Sequence, residues 1–194
     1  MPNRNSDNVR VFGSLDDMLW LAPVGTVMPV TLDVMLPSPW VPAGWLAESG
    51  VPVNVSTDVE KFKAYQGGTT IRTKVTATEK SLSWTMLEKT PLALKLHQDA
   101  GDPVMISETV ARVDLPEGIG VVSMAAVLVT VDDDVVDFLC MEKVEIGERE
   151  TVPHANNEIS AYGMSAEIVG ESYLLTNGAA FTEGLTYSPS IRRG

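Results

Sequence analysis

Cysteine and histidine are scarce in this chain of 194 residues, which has one cysteine and two histidines. A single cysteine, Cys140, excludes a disulfide within the chain and any paired-cysteine redox or zinc motif. The sequence therefore requires no oxidising compartment, and we expect synthesis in the cytoplasm. His97 and His154 have no second histidine or cysteine at ligand spacing, so we interpret both as structural residues.

Positive charge and long hydrophobic runs are also in short supply. The chain has 14 Lys and Arg against 26 Asp and Glu, for a formal net charge of −12. Proteins that bind nucleic-acid grooves or anionic membranes depend on clustered Lys and Arg, so both classes are disfavoured. The longest apolar stretch, residues 121–131, is too short to cross a bilayer. Residues 1–8 are polar and do not resemble a secretory signal.

Complete catalytic and cofactor motifs are missing as well. The chain contains no GxSxG, P-loop or HExxH sequence. Residues 118–120 (GIG) are a fragment of a dinucleotide motif, and the three aspartates at 132–134 lack the spacing of a calcium loop. Cys140 lies in an apolar segment with no neighbouring cation to activate the thiol. The residues therefore single out no catalytic, metal or cofactor site.

What the chain does have is alternation of apolar and polar residues, which is typical of half-buried strands. This pattern predicts an antiparallel β-sandwich or barrel of about seven or eight strands. Glu79-Lys80 is predicted to connect two of them as a hairpin, and residues 132–134 are predicted to be a polar turn. The predicted strands cover residues 30–36, 51–56, 71–78, 81–86, 109–114, 121–131, 135–146 and 162–168.

One α-helix is predicted to pack on this mainly-β domain. Thr90 suits the N-cap and Pro91 the first helical position, and good helix formers continue to Gln98. Gly101 is predicted to end the helix in a left-handed conformation. Near residue 14 a second helix competes with a strand over residues 18–21, and the sequence does not separate the two.

The segments outside this pattern are predicted to be arms and a loop. We assign residues 1–20 to an N-terminal arm, residues 21–175 to the β domain and residues 176–194 to a C-terminal arm. Residues 57–70 are predicted to be a long inter-strand loop, and ordered loops of that length are often functional. Trp40 and Trp45 flank a Pro and Gly turn, where they would suit a core plug, an interface or a ligand shelf.

Four blocks of the sequence, taken in order, resemble one protein family. They are APVGTVMP at 22–29, GWLAESGV at 44–51, FKAYQGGTTIRTKVT at 62–76 and LSWTMLEKTPLALKL at 82–96. This series resembles the major tail tube proteins of long, non-contractile-tailed bacteriophages, which are related to the tubes of contractile tails and of type VI secretion. His97-Gln98 departs from the family, in which Tyr-Gly is common at that place.

The resemblance implies a structural protein of the virion tail, made in the host bacterial cytoplasm. It implies hexameric rings that stack into a hollow tube, through which DNA passes without specific binding. It also implies contacts with copies of the chain and with other tail proteins (tape measure, terminator and distal tail), and no enzymatic activity, cofactor or membrane. The candidate subunit contacts are Trp40, Trp45, Lys61, Phe62, Lys63, Tyr65, Arg72, Phe181 and Tyr187.

Three other functions remain open at the level of the sequence. A carbohydrate-binding or receptor-binding β-sandwich would use Trp40, Trp45 and Tyr65 to stack on sugars. A glycoside hydrolase would use two of the many carboxylates, although no pair stands out. Another ring-forming virion protein, such as a tail terminator or a head decoration protein, would share the same physical features.

Overall fold

The computed structural model describes residues 6–185, and these residues form a mainly antiparallel β structure. The predicted fold class, mainly β with one packed helix, is confirmed. After a 3-10 turn at Ser6–Asn8, the elements are β1 (Met18–Ala22), β2 (Val41–Pro42), β3 (Val53–Lys63), β4 (Thr70–Met86), α1 (Pro91–Gln98), β5 (Val104–Met105), β6 (Ala111–Arg112), β7 (Val122–Asp132), β8 (Val135–Arg149), β9 (Tyr162–Ile168), β10 (Ser172–Thr176) and α2 (Ala179–Thr182).

The main sheet has the strand order β2-β1-β7-β8-β9-β4-β3, and β10 is an additional neighbour of β8. The long strand β8 pairs with β7 along one edge and with β10 and then β9 along the other. Leu46 forms a bridge to Met86, and the Ala47 N–H donates to the Thr85 carbonyl at 2.9 Å. The segment after β2 therefore meets β4, which curls the sheet towards closure.

The curled sheet has a core on each face. The inner core contains Leu82, Trp84 and Met86 of β4 and is covered by helix α1. The outer core contains Val127 and Phe138, and the irregular segment 23–40 covers it with buried apolar side chains. Strand β7 contributes to both cores, as the apolar run at residues 121–131 predicts.

Helix α1 begins and ends where predicted, at Pro91 and Gln98, but the left-handed residue that follows it differs from the prediction. The Thr90 side chain accepts a hydrogen bond from the Ala93 N–H at 3.1 Å, and Pro91 is the first helical residue. Asp99, with φ 52°, is the left-handed residue at the end, so the assignment of that role to Gly101 was wrong. His97 is buried, with Nε2 2.9 Å from the Glu150 carbonyl and its ring edge-on to Tyr162, which ties the helix to the sheet.

Three of the predicted elements differ in the structure. Residues 30–36 alternate in polarity but form no strand, because this segment packs its apolar side chains on the outer face without backbone pairing. Glu79-Lys80 is no turn, since β4 runs continuously from Thr70 to Met86. The predicted loop 57–70 was also wrong, because residues 57–63 belong to β3.

The described parts of both predicted arms are attached to the body. Strand β1 begins at Met18, inside the predicted N-terminal arm. The sequence left a helix and a strand open for this segment, and the structure has the strand. Asp17 accepts the Val131 N–H at 2.7 Å, which binds the preceding segment to β7. Asn177 accepts the Val136 N–H at 2.8 Å and donates to the Asp134 carbonyl at 2.9 Å. Both segments therefore meet at the β7–β8 turn.

Candidate subunit interface

Strand β3 and the outer part of β4 form a two-stranded ribbon that projects from the curled sheet. The pairing runs from Val53↔Leu82 near the body to Lys63↔Thr70 at the end. Every residue of β3 is exposed, and β4 alternates between buried and half-buried side chains only from Ser81 onward. At about 3.3 Å per residue, the strand from Val53 to Lys63 extends roughly 33 Å.

The far end of the ribbon is closed by a glycine turn. The Ala64 N–H donates to the Thr69 carbonyl at 2.8 Å, and Gly67 and Gly68 have φ values of 70° and 64°. Glycine adopts this left-handed conformation at no steric cost, so the two glycines permit the reversal of the chain. Tyr65 stands at this turn with 99% of its surface exposed.

The two faces of the ribbon differ in character. Val53, Val55 and Val59 occupy odd positions of β3 and therefore share one face, which continues the face of Leu82 in the inner core. The opposite face carries Phe62, which is paired with Arg72. All three valines are more than 40% exposed, at 42%, 60% and 43%. A hairpin of two strands is marginally stable alone in water, so these exposed apolar side chains favour a partner surface.

The end of the ribbon is basic, in contrast to the chain as a whole. We define the tip as residues 61–72, which contain Lys61, Lys63 and Arg72 and no acidic residue. The tip therefore carries a formal charge of +3 and the rest of the chain carries −15, which together give the net charge of −12. The structure brings five of the predicted contact residues together here: Lys61, Phe62, Lys63, Tyr65 and Arg72.

The other predicted contact residues are dispersed. Trp40 is only 6% exposed and belongs to the outer core, with Nε1 3.4 Å from the Val27 carbonyl, so of its three predicted roles it has that of a core plug. Trp45 is 67% exposed at the base of the ribbon, and Phe181 is exposed on α2. Tyr187 lies outside the described residues.

A groove of about 1110 Å³ lies beside the base of the ribbon. Segment 44–53 forms one wall and residues 12–18 contribute to another, while Leu128, Leu139 and Leu174 of the sheet supply apolar surface. Four carboxylates from distant parts of the chain line the same space, and none of the lining residues within the described part of the chain is Lys or Arg. These carboxylates belong to Asp17, Glu48, Glu88 and Asp137.

The hydrogen bonds of these four carboxylates differ. Glu88 Oε1 accepts the Trp45 N–H at 2.8 Å, and Asp17 accepts backbone N–H groups through both oxygens. Asp137 Oδ1 is buried and has no hydrogen-bond partner among the described residues. Glu48 is exposed. Backbone N–H groups thus bind two of the four carboxylates, a third has a buried oxygen without a partner, and the fourth is exposed. A groove with these four acids favours a cationic partner.

Sequence reasoning missed this groove. Its acids are at positions 17, 48, 88 and 137, and no spacing along the chain indicates that they converge. Only the sheet pairing and the bridge from Leu46 to Met86 bring their segments together.

Within residues 6–185, no three His, Cys, Asp or Glu side chains are grouped to hold a metal ion. The helices of that same range include none of the length and hydropathy needed to cross a membrane. In comparisons with known proteins, no protein-family model matches the chain and no curated protein matches it.

Proposed function

We propose that this chain is a structural protein that assembles with copies of itself into stacked rings, most simply hexameric, forming the tail tube of a long-tailed bacteriophage. The observation that carries the proposal is the projecting ribbon, which exposes apolar and aromatic side chains on both faces. The ordered sequence blocks that resemble tail tube proteins agree with it. The proposal places the protein in the virion tail, in contact with other tail proteins.

Self-assembly would explain why the ribbon exposes apolar side chains and an unpaired strand edge. Its outer edge, strand β3, has unpaired backbone groups along one side, and such an edge is a template for pairing with another chain. A ring of identical subunits covers edges and apolar surface in every copy at once. A monomeric binding protein would leave them in water.

The net charge of −12 suits a conduit for DNA. Phosphates are held by Lys and Arg, so an acidic wall lets a duplex pass without sticking. The basic tip is compatible with this only where another subunit covers it, which is a further reason to place the tip at a seam between copies.

The carbohydrate-binding alternative is less well supported. Stacking on a sugar chain requires aromatic side chains along one surface, yet Trp40 is buried, Trp45 is at the base of the ribbon and Tyr65 is at its tip. The two exposed rings are thus separated by the length of the ribbon. We therefore retain self-assembly as the proposal.

Electron microscopy of the purified full-length protein tests the proposal directly. We expect negatively stained rings or tubes of uniform diameter at high protein concentration, together with large species in sedimentation velocity. Single rings that never stack would favour another ring-forming virion protein, such as a tail terminator. A monomer at every concentration and salt tried would overturn the proposal.

A further inference from the structure

The groove at the base of the ribbon and the tip of the ribbon are complementary in charge. The groove is lined by four carboxylates and no Lys or Arg among the described residues, whereas the tip carries Lys61, Lys63 and Arg72 and no acid. Opposite charges on facing surfaces steer association and fix its register.

The two surfaces are also complementary in their apolar groups. The groove presents Leu128, Leu139 and Leu174 beside its acids. The tip offers Phe62 and Tyr65, which are 41% and 99% exposed. Aromatic residues next to basic ones are the common anchors of protein interfaces, because they bury apolar area and still satisfy charges at the rim.

The groove cannot receive the tip of its own chain. Val53 lines the groove and is also the first residue of β3, so the groove is at the base of the ribbon. The tip begins about 26 Å farther along a strand that stays paired with β4, with register shifts after Asp58 and Phe62. A paired ribbon does not fold back on its own base, so only the tip of a second copy can enter.

We propose that the groove of one subunit is the docking site for the ribbon tip of a second copy of this chain. Each subunit then has one donor surface and one acceptor surface, which differ from each other. Such head-to-tail contacts produce closed rings or open helices, depending on the rotation between copies. The proposal rests on self-assembly as the function and names the two surfaces that meet.

Two variants that each lack one surface test this contact. In the tipless variant, Asn-Gly replaces residues 58–77 and joins Thr57 to Thr78, which are paired in the ribbon. In the groove-blocked variant, Glu48→Lys and Leu174→Arg place positive charge in the acceptor. Both altered side chains of the second variant are exposed, Leu174 at 45%, so folding is retained and is checked by thermal melting.

Neither variant should form rings alone, but the mixture should form a one-to-one complex. The intact tip of the groove-blocked variant enters the intact groove of the tipless variant, and the pair has no free surfaces left to grow. Sedimentation velocity measures the complex. The matched control is Glu108→Lys with Leu115→Arg, which makes the same changes at exposed positions outside the groove and should assemble normally.

The outcomes separate this proposal from the proposed function. Normal rings from the groove-blocked variant would overturn the groove as acceptor while self-assembly stands. A one-to-one complex from the variants, with wild-type protein that never forms rings or tubes, would support the contact and overturn the tube. If the tipless variant fails to fold, Phe62→Ala with Lys63→Glu replaces it. This variant should form no rings alone and should form the one-to-one complex with the groove-blocked variant. Normal rings from it alone, or no complex in the mixture, would overturn the contact between tip and groove.

Discussion

Arg72 is the residue at which charge and position on the ribbon coincide most clearly. It is exposed on β4, is paired across the ribbon with Phe62, and belongs to the basic tip. The structure places this position about 30 Å from the inner core. Its charge therefore bears on association between copies and hardly on folding.

Reversing the charge of Arg72 gives the first prediction. Arg72→Glu should weaken self-association about tenfold or more, because it introduces a carboxylate into the tip that is proposed to enter an acidic groove. The melting temperature should stay within a few degrees of wild type, because surface changes of this kind alter stability little. Sedimentation velocity and thermal melting provide the two measurements.

A matched charge reversal on the body controls this experiment. Lys95→Glu makes the same charge reversal at an exposed position of helix α1. It removes only a long ion pair with Asp102, at 3.9 Å, which is also exposed. It should leave assembly intact. Equal losses of assembly in both variants would show that net charge, and not the tip, governs association.

Cys140 supports a second prediction at the residue scale. Burial in the outer core raises the pKa of this thiol from 9.0 to about 11, against a smaller lowering by a hydrogen bond with Tyr173. The thiolate is the reactive form, so thiol reagents should modify the native protein at pH 8 only as fast as it unfolds. Rapid modification of native protein, measured by mass spectrometry, would contradict the buried position.

The same pKa shift sets the sign of a pH effect on stability. Because the folded state disfavours the thiolate, its contribution is fully present below pH 9.0 and is lost as the pH rises to about 11. The shift is worth about 3 kcal/mol of unfolding free energy. In Cys140→Ser, the free energy of unfolding should lack this pH dependence. Denaturant titrations across that pH range provide the measurement.

The two tryptophans show where sequence reasoning ends at this scale. Both are large aromatics in one Pro- and Gly-rich segment, and the sequence left their roles open. Trp40 is buried because segment 23–40 folds over the outer face, a long-range contact with no local signal. Trp45 turns outward after Gly44, with φ 80°, and Glu88 fixes its N–H.

At the scale of elements, local signals succeeded where they were strong. Strand β9 was predicted with its observed limits, and the Thr90 cap and Pro91 set the start of α1 correctly. Parts of both ribbon strands were predicted, but their pairing as one long hairpin was missed. The charged residues Asp58, Glu60 and Lys61 interrupt the apolar alternation of β3, and Glu79-Lys80 was interpreted as a turn. The real turn has its own signal in Gly67-Gly68, which is typical of a hairpin.

Hydrogen exchange provides the prediction for the ribbon. Amides of residues 54–62 should exchange much faster than those of β7 in the isolated subunit, because two exposed strands open easily. Assembly should slow exchange at the tip and along β3, since a neighbouring copy then covers them. Unchanged exchange at residues 61–72 in assembled protein would place the contact elsewhere. Exchange within β7 serves as the internal reference.

At the scale of the whole molecule, charge is distributed unevenly. Positive charge is concentrated in the tip and negative charge in the rest of the chain. This separation favours head-to-tail association over face-to-face pairing of like surfaces. Composition alone gave the net charge correctly. The separation of charge emerged only with the ribbon, because Lys61, Lys63 and Arg72 are close in space only through the β3–β4 pairing.

DNA binding tests the charge argument for the assembled protein. We expect no retained duplex when assembled protein is mixed with linear DNA at about physiological salt, because a net charge of −12 per subunit repels phosphate. Gel mobility is the measurement. Tipless protein is the control, and DNA retained by wild type but not by this variant would mean that the tips remain open to solvent.

Strand β4 is continuous from the exposed turn to the centre of the protein, where Trp84 and Met86 are fully packed. One continuous strand thus connects the part proposed to meet a neighbour with the part that keeps the subunit folded. Tension on the tip would pass along covalent bonds into the interior, so bending a filament of such subunits would load their hydrophobic cores. Stiffness of the filament and stability of the subunit would then be one mechanical property.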